Sequence, residues 1–230
     1  MKRFLREQSL SLTFLALFLA ALVGQAYAGW HAYNEEEMTH AALLGQAPET
    51  ISLGRYLTSS SFGQAVTENW QSEYLQFTLF ILLTVWFIQK GSPESKQPGE
   101  EGGESDEQQL VGEHAKRNSP RWSKAGGWRL WVYSNSLVLV MATIWIWSWL
   151  AQSVTGWSEY NSEQLEHEQE SLSWLQYVGS ADFWEATLQN WQSEFLAVGS
   201  MAVLAIYLRQ RGSPESKPVG APHDATGVEG

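Results

Sequence analysis

The chain has 230 residues, a formal net charge of −11, 44% hydrophobic residues and 13 tryptophans. The acidic balance argues against a nucleic-acid-binding protein, because binding to a phosphate backbone requires a basic surface. The sequence contains no cysteine, which excludes disulfide bonds, thiolate metal ligands and a cysteine nucleophile. Tryptophan concentrates where an apolar medium meets water, so its abundance is typical of a protein at a membrane.

Four stretches are long and apolar enough for a membrane-spanning helix, which needs roughly 20 mostly apolar residues. They are residues 10–28, 70–88, 135–154 and 191–208. None of them contains Lys, Arg or Pro. The sequence therefore predicts an all-α membrane protein with four transmembrane helices and a bilayer as its main partner.

The first stretch also resembles a cleavable signal peptide. Three basic residues precede it, and Ala26-Tyr27-Ala28 at its end has the small-residue spacing of a cleavage site. However, the third stretch matches the first in an internal repeat and, at residues 135–154, cannot be a signal peptide. We therefore expect the first stretch to remain attached as a helix.

The distribution of Lys and Arg predicts the orientation. Thirteen of the 14 basic residues lie before the first span, between the second and third spans, or after the fourth, and only Arg55 lies elsewhere. Because basic residues accumulate in cytoplasmic loops, both termini and the central linker are expected in the cytoplasm of a bacterium. The loops 29–69 and 155–190 would then face outward from the inner membrane.

Three sequence blocks occur twice in the same order. Asn-Trp-Gln-Ser-Glu at 69–73 recurs at 190–194, and Gly-Ser-Pro-Glu-Ser-Lys at 91–96 recurs at 212–217, both at an offset of 121. Gly-Trp at 29–30 recurs at 156–157, an offset of 127. Each copy holds two spans, so both copies enter the membrane in the same sense, as parallel repeats related by a pseudo-twofold axis along the membrane normal. The expected body is a four-helix bundle.

The repeat predicts the organisation of the chain. Residues 1–96 form the first two-helix repeat and residues 121–217 the second. The linker 97–120 and the tail 218–230 are rich in Gly, Pro, Glu and Ser, a composition that favours disorder. Just before the second and fourth spans, 61–69 and 181–190 are predicted to be amphipathic helical lead-ins.

The paired Asn-Trp-Gln-Ser-Glu and Gly-Ser-Pro-Glu-Ser-Lys blocks resemble those of a family of small bacterial membrane proteins that carry a domain of unknown function. The resemblance covers nearly the whole chain outside the linker and the tail. It implies a multi-pass bacterial membrane protein and brings no activity, cofactor or catalytic residue with it.

The candidate site is a polar pair inside the second and fourth spans. Its residues are Asn69, Glu73, Asn190 and Glu194. Asn and Glu four residues apart share a helix face, and ionisable groups inside spans often line ion or proton paths. If the two carboxylates met, one should keep its proton toward neutral pH. The alternative is that both lie in the hydrated headgroup zone, favoured by the positive helix N-terminus.

Other polar motifs have simpler explanations. His31 with Glu35, and His167 with Glu163 and Glu170, have spacings that could bring metal ligands together, but they are better explained as parts of charged outer faces. In each Gly-Ser-Pro-Glu-Ser-Lys block, Gly would end the helix and Lys would lie in cytoplasmic water. A partner-binding or phosphorylated motif is the alternative there.

The sequence favours a non-catalytic membrane protein that acts through assembly or partner contact, with no cofactor and no metal. It contains no phosphate loop, dinucleotide fingerprint or zinc-protease motif. The alternatives are a small proton or cation transporter or channel subunit that uses Glu73 and Glu194, and a membrane enzyme. A homo-oligomer is a further alternative, and it would give a transporter more room than four helices enclose.

Overall fold

The computed structural model describes residues 2–229, so only the first residue of the first repeat and the last residue of the tail lie outside it. These residues form eight α-helices and two short 3-10 helices (112–114 and 121–124), with no β-strand among them. The α-helices are α1 (Lys2–Glu7), α2 (Ser9–Leu44), α3 (Leu53–Tyr56), α4 (Ser60–Trp86), α5 (Trp128–Ser134), α6 (Ser136–Glu166), α7 (Trp174–Val178) and α8 (Ala181–Tyr207).

The repeat in the sequence is matched by a repeat of helices. Helices α4 and α8 both have 27 residues and lie 121 positions apart, and α2 and α6 begin 127 positions apart. Local packing recurs as well. The rings of Tyr56 and Phe62 lie 5.5 Å apart, and those of Tyr177 and Phe183, at the same offset, lie 5.6 Å apart. The two copies therefore build the same short helix followed by the same long one.

Two helices are long and apolar enough to cross a membrane. They are α2, with 36 residues, and α6, with 31 residues. Only 6% of the most apolar window of α2 and 17% of that of α6 are buried, so neither resembles the core helix of a water-soluble protein. Helices α4 and α8 are also long, but polar residues in their N-terminal halves lower their average hydropathy.

The regions predicted as outer loops are mostly helical. Helix α2 continues 16 residues past the predicted end of its span, to Leu44. There Gly45 adopts the left-handed conformation (φ 68°), and the N–H groups of Gly45 and Gln46 donate to the carbonyls of Ala42 and Ala41. Helix α6 likewise continues past residue 154. The helical lead-ins at 61–69 and 181–190 are confirmed as the first turns of α4 and α8.

The contacts divide the chain into two compact units. The first unit comprises residues 1–66 and 154–171, and the second comprises residues 67–153 and 172–230. Each unit takes segments from both copies of the repeat. Tyr56 is buried in the first unit, and Leu75, Tyr177 and Phe183 are buried in the second.

In the first unit, the Gly-Trp-His-Ala-Tyr-Asn segment of α2, whose Gly-Trp and Tyr-Asn pairs recur at 156–157 and 160–161, holds the following loop in place. The indole of Trp30 and the amide of Asn34 both donate to the carbonyl of Ile51, at 2.7 and 3.0 Å. The N–H of Ile51 in turn donates to Asn34 Oδ1 at 2.8 Å. This loop leads into α3, whose Tyr56 lies directly against Gly29.

Candidate functional site

The structure places the predicted polar pair on two equivalent helices of the second unit. Asn69 and Glu73 lie on α4, and Asn190 and Glu194 lie on α8. Asn190 Nδ2 donates to the carbonyl of Ala186 at 2.8 Å, within its own helix. Glu73 is exposed and Glu194 is partly buried, and the charge of Glu73 acts on Glu194. Whether the two carboxylates share a proton stays a prediction.

A direct link between the two Asn-Trp-Gln-Ser-Glu blocks runs through residues that we did not single out from the sequence. The indole Nε1 of Trp191 donates to Gln71 Oε1 at 2.7 Å. The Gln71 side chain is fully buried, and its Nε2 has no acceptor among the described residues. The signal was present in the motif, because Trp and Gln recur beside Asn and Glu.

Polar side chains continue from Gln71 into the interior of the second unit. The buried residues are Gln71, Ser72, Thr78, Ser148, Gln152, Ser153 and Thr187. Several of them donate a hydrogen bond to a backbone carbonyl of their own helix, as Thr78 Oγ1 does to the carbonyl of Tyr74 at 2.7 Å. Beside them Trp149 stacks on Trp145 and contacts the rings of Phe183, Trp184 and Trp191 at 6.0–6.1 Å. The second unit thus combines a polar interior with an aromatic cluster.

The Gly-Ser-Pro-Glu-Ser-Lys blocks do not end their helices as we expected. Helix α4 ends at Trp86 and α8 at Tyr207, several residues before the glycines. The N–H of Gln89 donates to Ser95 Oγ, and the N–H of Gln210 donates to Ser216 Oγ, both at 2.9 Å. In both copies this N–H group donates to a serine hydroxyl of the motif and not to a carbonyl of the preceding helix. The motif therefore contributes to ending the helix.

The prediction that Lys217 lies in water is wrong. Its side chain is 1% exposed, and Nζ donates to the carbonyls of Gly91, Pro222, His223 and Ala225 at 2.6–3.2 Å. Burial, and then the charge of Arg209, lowers the pKa of this ammonium group below its usual value. Four carbonyl oxygens hold the ammonium group instead of water, because the tail folds back over it.

Lys96, its counterpart, makes one matching contact. Lys96 Nζ donates to the carbonyl of Gly102 at 2.8 Å and pairs with Glu104 at 3.2 Å. Gly102 occupies the position in the first copy that His223 occupies in the second. The residues after each motif therefore make specific contacts that their composition did not indicate. Disorder of the rest of the linker and tail stays a prediction.

The first unit contains an acidic cleft of about 430 Å³ between the extended ends of α2 and α6. Five carboxylates line it, together with two histidines whose rings lie 6.3 Å apart: Glu36, Glu37, Glu159, Glu163, Glu166, His40 and His167. Burial, followed by the charge of Glu166, raises the pKa of Glu37, and burial, followed by that of Glu159, raises the pKa of Glu163. No group of three or more His, Asp or Glu within residues 2–229 could hold a metal ion.

Comparison with known proteins identifies a family and no closer relative. A family model described as a domain of unknown function (DUF6766) matches residues 1–228. Neither a curated protein nor a solved structure matches the chain.

Proposed function

Since the chain belongs to the DUF6766 family along almost its whole length, we propose that it is a non-catalytic, multi-pass protein of the bacterial inner membrane. It acts through contact with partners or with further copies of itself. Four helices cross the bilayer: α2, α4, α6 and α8.

The observation that carries this proposal is the apolar surface of the long helices. The accessible surface of the chain is 16090 Å², whereas a globular monomer of 25.9 kDa exposes about 10,500 Å². Many large apolar side chains are exposed, among them Phe14 and Val23 on α2 and Trp147 on α6, which are 64–68% exposed. Water disfavours such a surface, and hydrocarbon accommodates it.

The less apolar helices, α4 and α8, fit the same environment for a different reason. Their polar residues include Gln71 and Thr187, which are fully buried inside the second unit. The exposed positions in their C-terminal halves carry apolar side chains, such as Leu83 on α4 and Leu204 on α8. Polar side chains that face protein and apolar side chains that face outward are the arrangement expected of helices inside a membrane bundle.

The proposed topology predicts which introduced cysteines a membrane-impermeant thiol reagent reaches in intact cells. The chain has no native cysteine, so each variant carries one reactive thiol. Ser162→Cys, on the extension of α6, should react from outside, and Ser105→Cys, in the linker, should react only after lysis. Both serines are exposed, so folding protects neither. Labelling of Ser105→Cys in intact cells would contradict the orientation.

A transport function is the second candidate, favoured by the charge interaction between Glu73 and Glu194 in the second unit. Proton and cation flux into proteoliposomes separates the two functions. Contact without transport predicts flux equal to that of empty liposomes. Transport predicts flux in the wild type that the double variant Glu73→Gln/Glu194→Gln loses, while Glu100→Gln, a linker variant with the same chemistry, retains it.

A further inference from the structure

Residues 116–134 carry a concentrated positive charge in an acidic protein. Five of the 14 basic residues lie in this segment, and no acidic residue occurs from position 114 to position 158. The five are Lys116, Arg117, Arg121, Lys124 and Arg129. All five are exposed, and none forms an ion pair with a carboxylate among the described residues. Their charges are therefore available to an anionic partner.

Exposed tryptophans are interleaved with these basic residues. Trp122, Trp128 and Trp131 are 46–67% exposed. Trp128 and Trp131 are three residues apart on α5 and share one face of that helix. The guanidinium carbon of Arg129 lies 5.6 Å from the centre of the Trp128 ring, so a positive charge accompanies this face. Rings beside cations are favoured where hydrocarbon meets charged headgroups, because each group then finds its preferred medium.

Packing gives this segment a defined shape. The ring of Trp122, in the second 3-10 helix, lies 6.5 Å from the ring of Tyr133 on α5. Lys124 Nζ donates to the carbonyl of Arg117 at 3.1 Å, which connects the start of the segment to the same 3-10 helix. The charges and the rings therefore belong to one folded surface.

The surface is joined directly to α6, which the proposed function places across the bilayer. Only Asn135 separates α5 from α6. The N–H of Asn135 donates to the carbonyl of Trp131 at 3.1 Å, and its carbonyl accepts from the N–H of Leu139 at 2.9 Å. At the helical rise per residue, Arg129 lies at most about 10 Å from the start of α6. The surface is therefore close enough to the apolar run of α6 to reach lipid headgroups.

We propose that residues 116–134 form a docking surface for anionic phospholipid headgroups of the cytoplasmic leaflet. The basic side chains contact the phosphate groups, and the rings of Trp128 and Trp131 lie among the glycerol backbones. The charges are complementary, because the cytoplasmic leaflet has a negative surface potential that attracts basic segments beside a span. The proposal rests on the proposed function in one respect, since it needs α6 to enter the bilayer from the cytoplasm.

Two other anionic partners fit the structure less well. Residues 100–113 of the linker hold six acidic side chains. Among the described residues, however, Glu104 pairs with Lys96, and none of the six pairs with the basic surface. A nucleic acid would meet the same positive charge, but the net charge of −11 on the whole protein would repel it.

A fluorescent reporter at position 126 tests the proposal in the full-length protein. The chain has no native cysteine, and a side chain at Gly126 meets nothing within 4 Å, so Gly126→Cys can carry an environment-sensitive dye. The labelled protein in neutral detergent micelles is titrated with phosphatidylglycerol or with phosphatidylcholine. Phosphatidylglycerol should shift the dye emission to the blue at a much lower mole fraction. About 1 M salt, which shortens the Debye length to about 3 Å, should remove most of that difference.

Two sets of substitutions separate the charges from the rings. Each basic residue beside an anionic surface strengthens binding about fivefold, so removal of three should weaken binding of phosphatidylglycerol about a hundredfold. The triple variant is Arg121→Gln/Lys124→Gln/Arg129→Gln. In contrast, Trp128→Ser/Trp131→Ser should weaken binding of both lipids and keep the preference for phosphatidylglycerol, because indole rings favour the interface of either lipid.

The matched control is Arg6→Gln/Lys90→Gln/Arg211→Gln, which removes three exposed basic residues from other segments assigned to the cytoplasm. It should keep the response of the labelled parent. Equal responses to the two lipids, or an equal loss in the control and the triple variant, would overturn the proposal. So would the same response to inorganic phosphate or to a DNA duplex at equal charge concentration. Alkaline extraction of membranes checks the proposed function separately, because a chain that does not span them is released whatever its preference among lipids.

Discussion

Lys217→Met should lower the free energy of unfolding by about 1–3 kcal/mol, the usual cost of leaving buried polar groups without partners. Methionine has a similar length but no donor, so the carbonyls of Gly91, Pro222, His223 and Ala225 lose the ammonium group that they share. These carbonyls belong to both the first motif and the tail, so the tail should also become accessible to protease. Reversible unfolding in mixed micelles measures the first effect, and limited proteolysis measures the second.

Lys96→Met is the matched control for this change. It removes the same group from the equivalent position of the first copy, where the side chain is 25% exposed and one carbonyl and one carboxylate accept from it. Water can replace these partners, so the loss should stay under about 1 kcal/mol, as for other exposed ion pairs. Equal losses in the two variants would show that burial of Lys217 contributes nothing.

Gly29→Ala should also destabilise the protein by about 1–3 kcal/mol, the usual cost of overpacking. A β-carbon at this position of α2 would overlap the hydroxyl of Tyr56 and lie 3.1 Å from its Cζ. Tyr56 is 4% exposed, so the ring cannot move aside without losing packing. Thermal unfolding in detergent, with the wild type alongside, gives the size of the loss.

Two further variants separate this clash from a general effect of alanine in α2. Gly24→Ala lies five residues earlier on the same helix, where an added β-carbon meets nothing within 4 Å. It should be neutral or stabilising by up to about 1 kcal/mol, because alanine favours helix more than glycine does. In a Tyr56→Phe background the overlapping oxygen is gone, so Gly29→Ala should cost markedly less. The same cost in both backgrounds would refute the steric explanation.

The helical class and the repeat could be predicted because both follow directly from short stretches of the sequence. Apolar runs of the right length identify helices, and matched blocks at offsets of 121 and 127 identify equivalent ones. The first residues of the equivalent helices in the structure lie at the same two offsets. The continuation of α2 to Leu44 was missed because we ended the helix with its apolar run. A charged helix such as that around Glu36 and Glu37 needs no apolar run when a neighbouring segment packs on one side.

The candidate site was harder to predict because burial and pairing are properties of the folded chain. Glu73 and Glu194 were the obvious candidates, since a charge inside an apolar stretch stands out. The contact between the blocks instead joins Trp191 to Gln71, neither of which carries a charge. Likewise Lys217 was assigned to water by the charge rule for loops, yet the tail buries it.

Sequence alone thus determined the helical class, the tandem repeat, the apolar character of α2 and α6 and the uneven distribution of basic residues. These follow from composition and spacing along the chain. Only the tertiary structure decided that Lys217 meets Gly91 of the first motif and that the tail closes over it. Identical motifs give identical local turns, but which carbonyls surround a buried ammonium group depends on residues that are 126 positions apart in the chain, as Gly91 and Lys217 are.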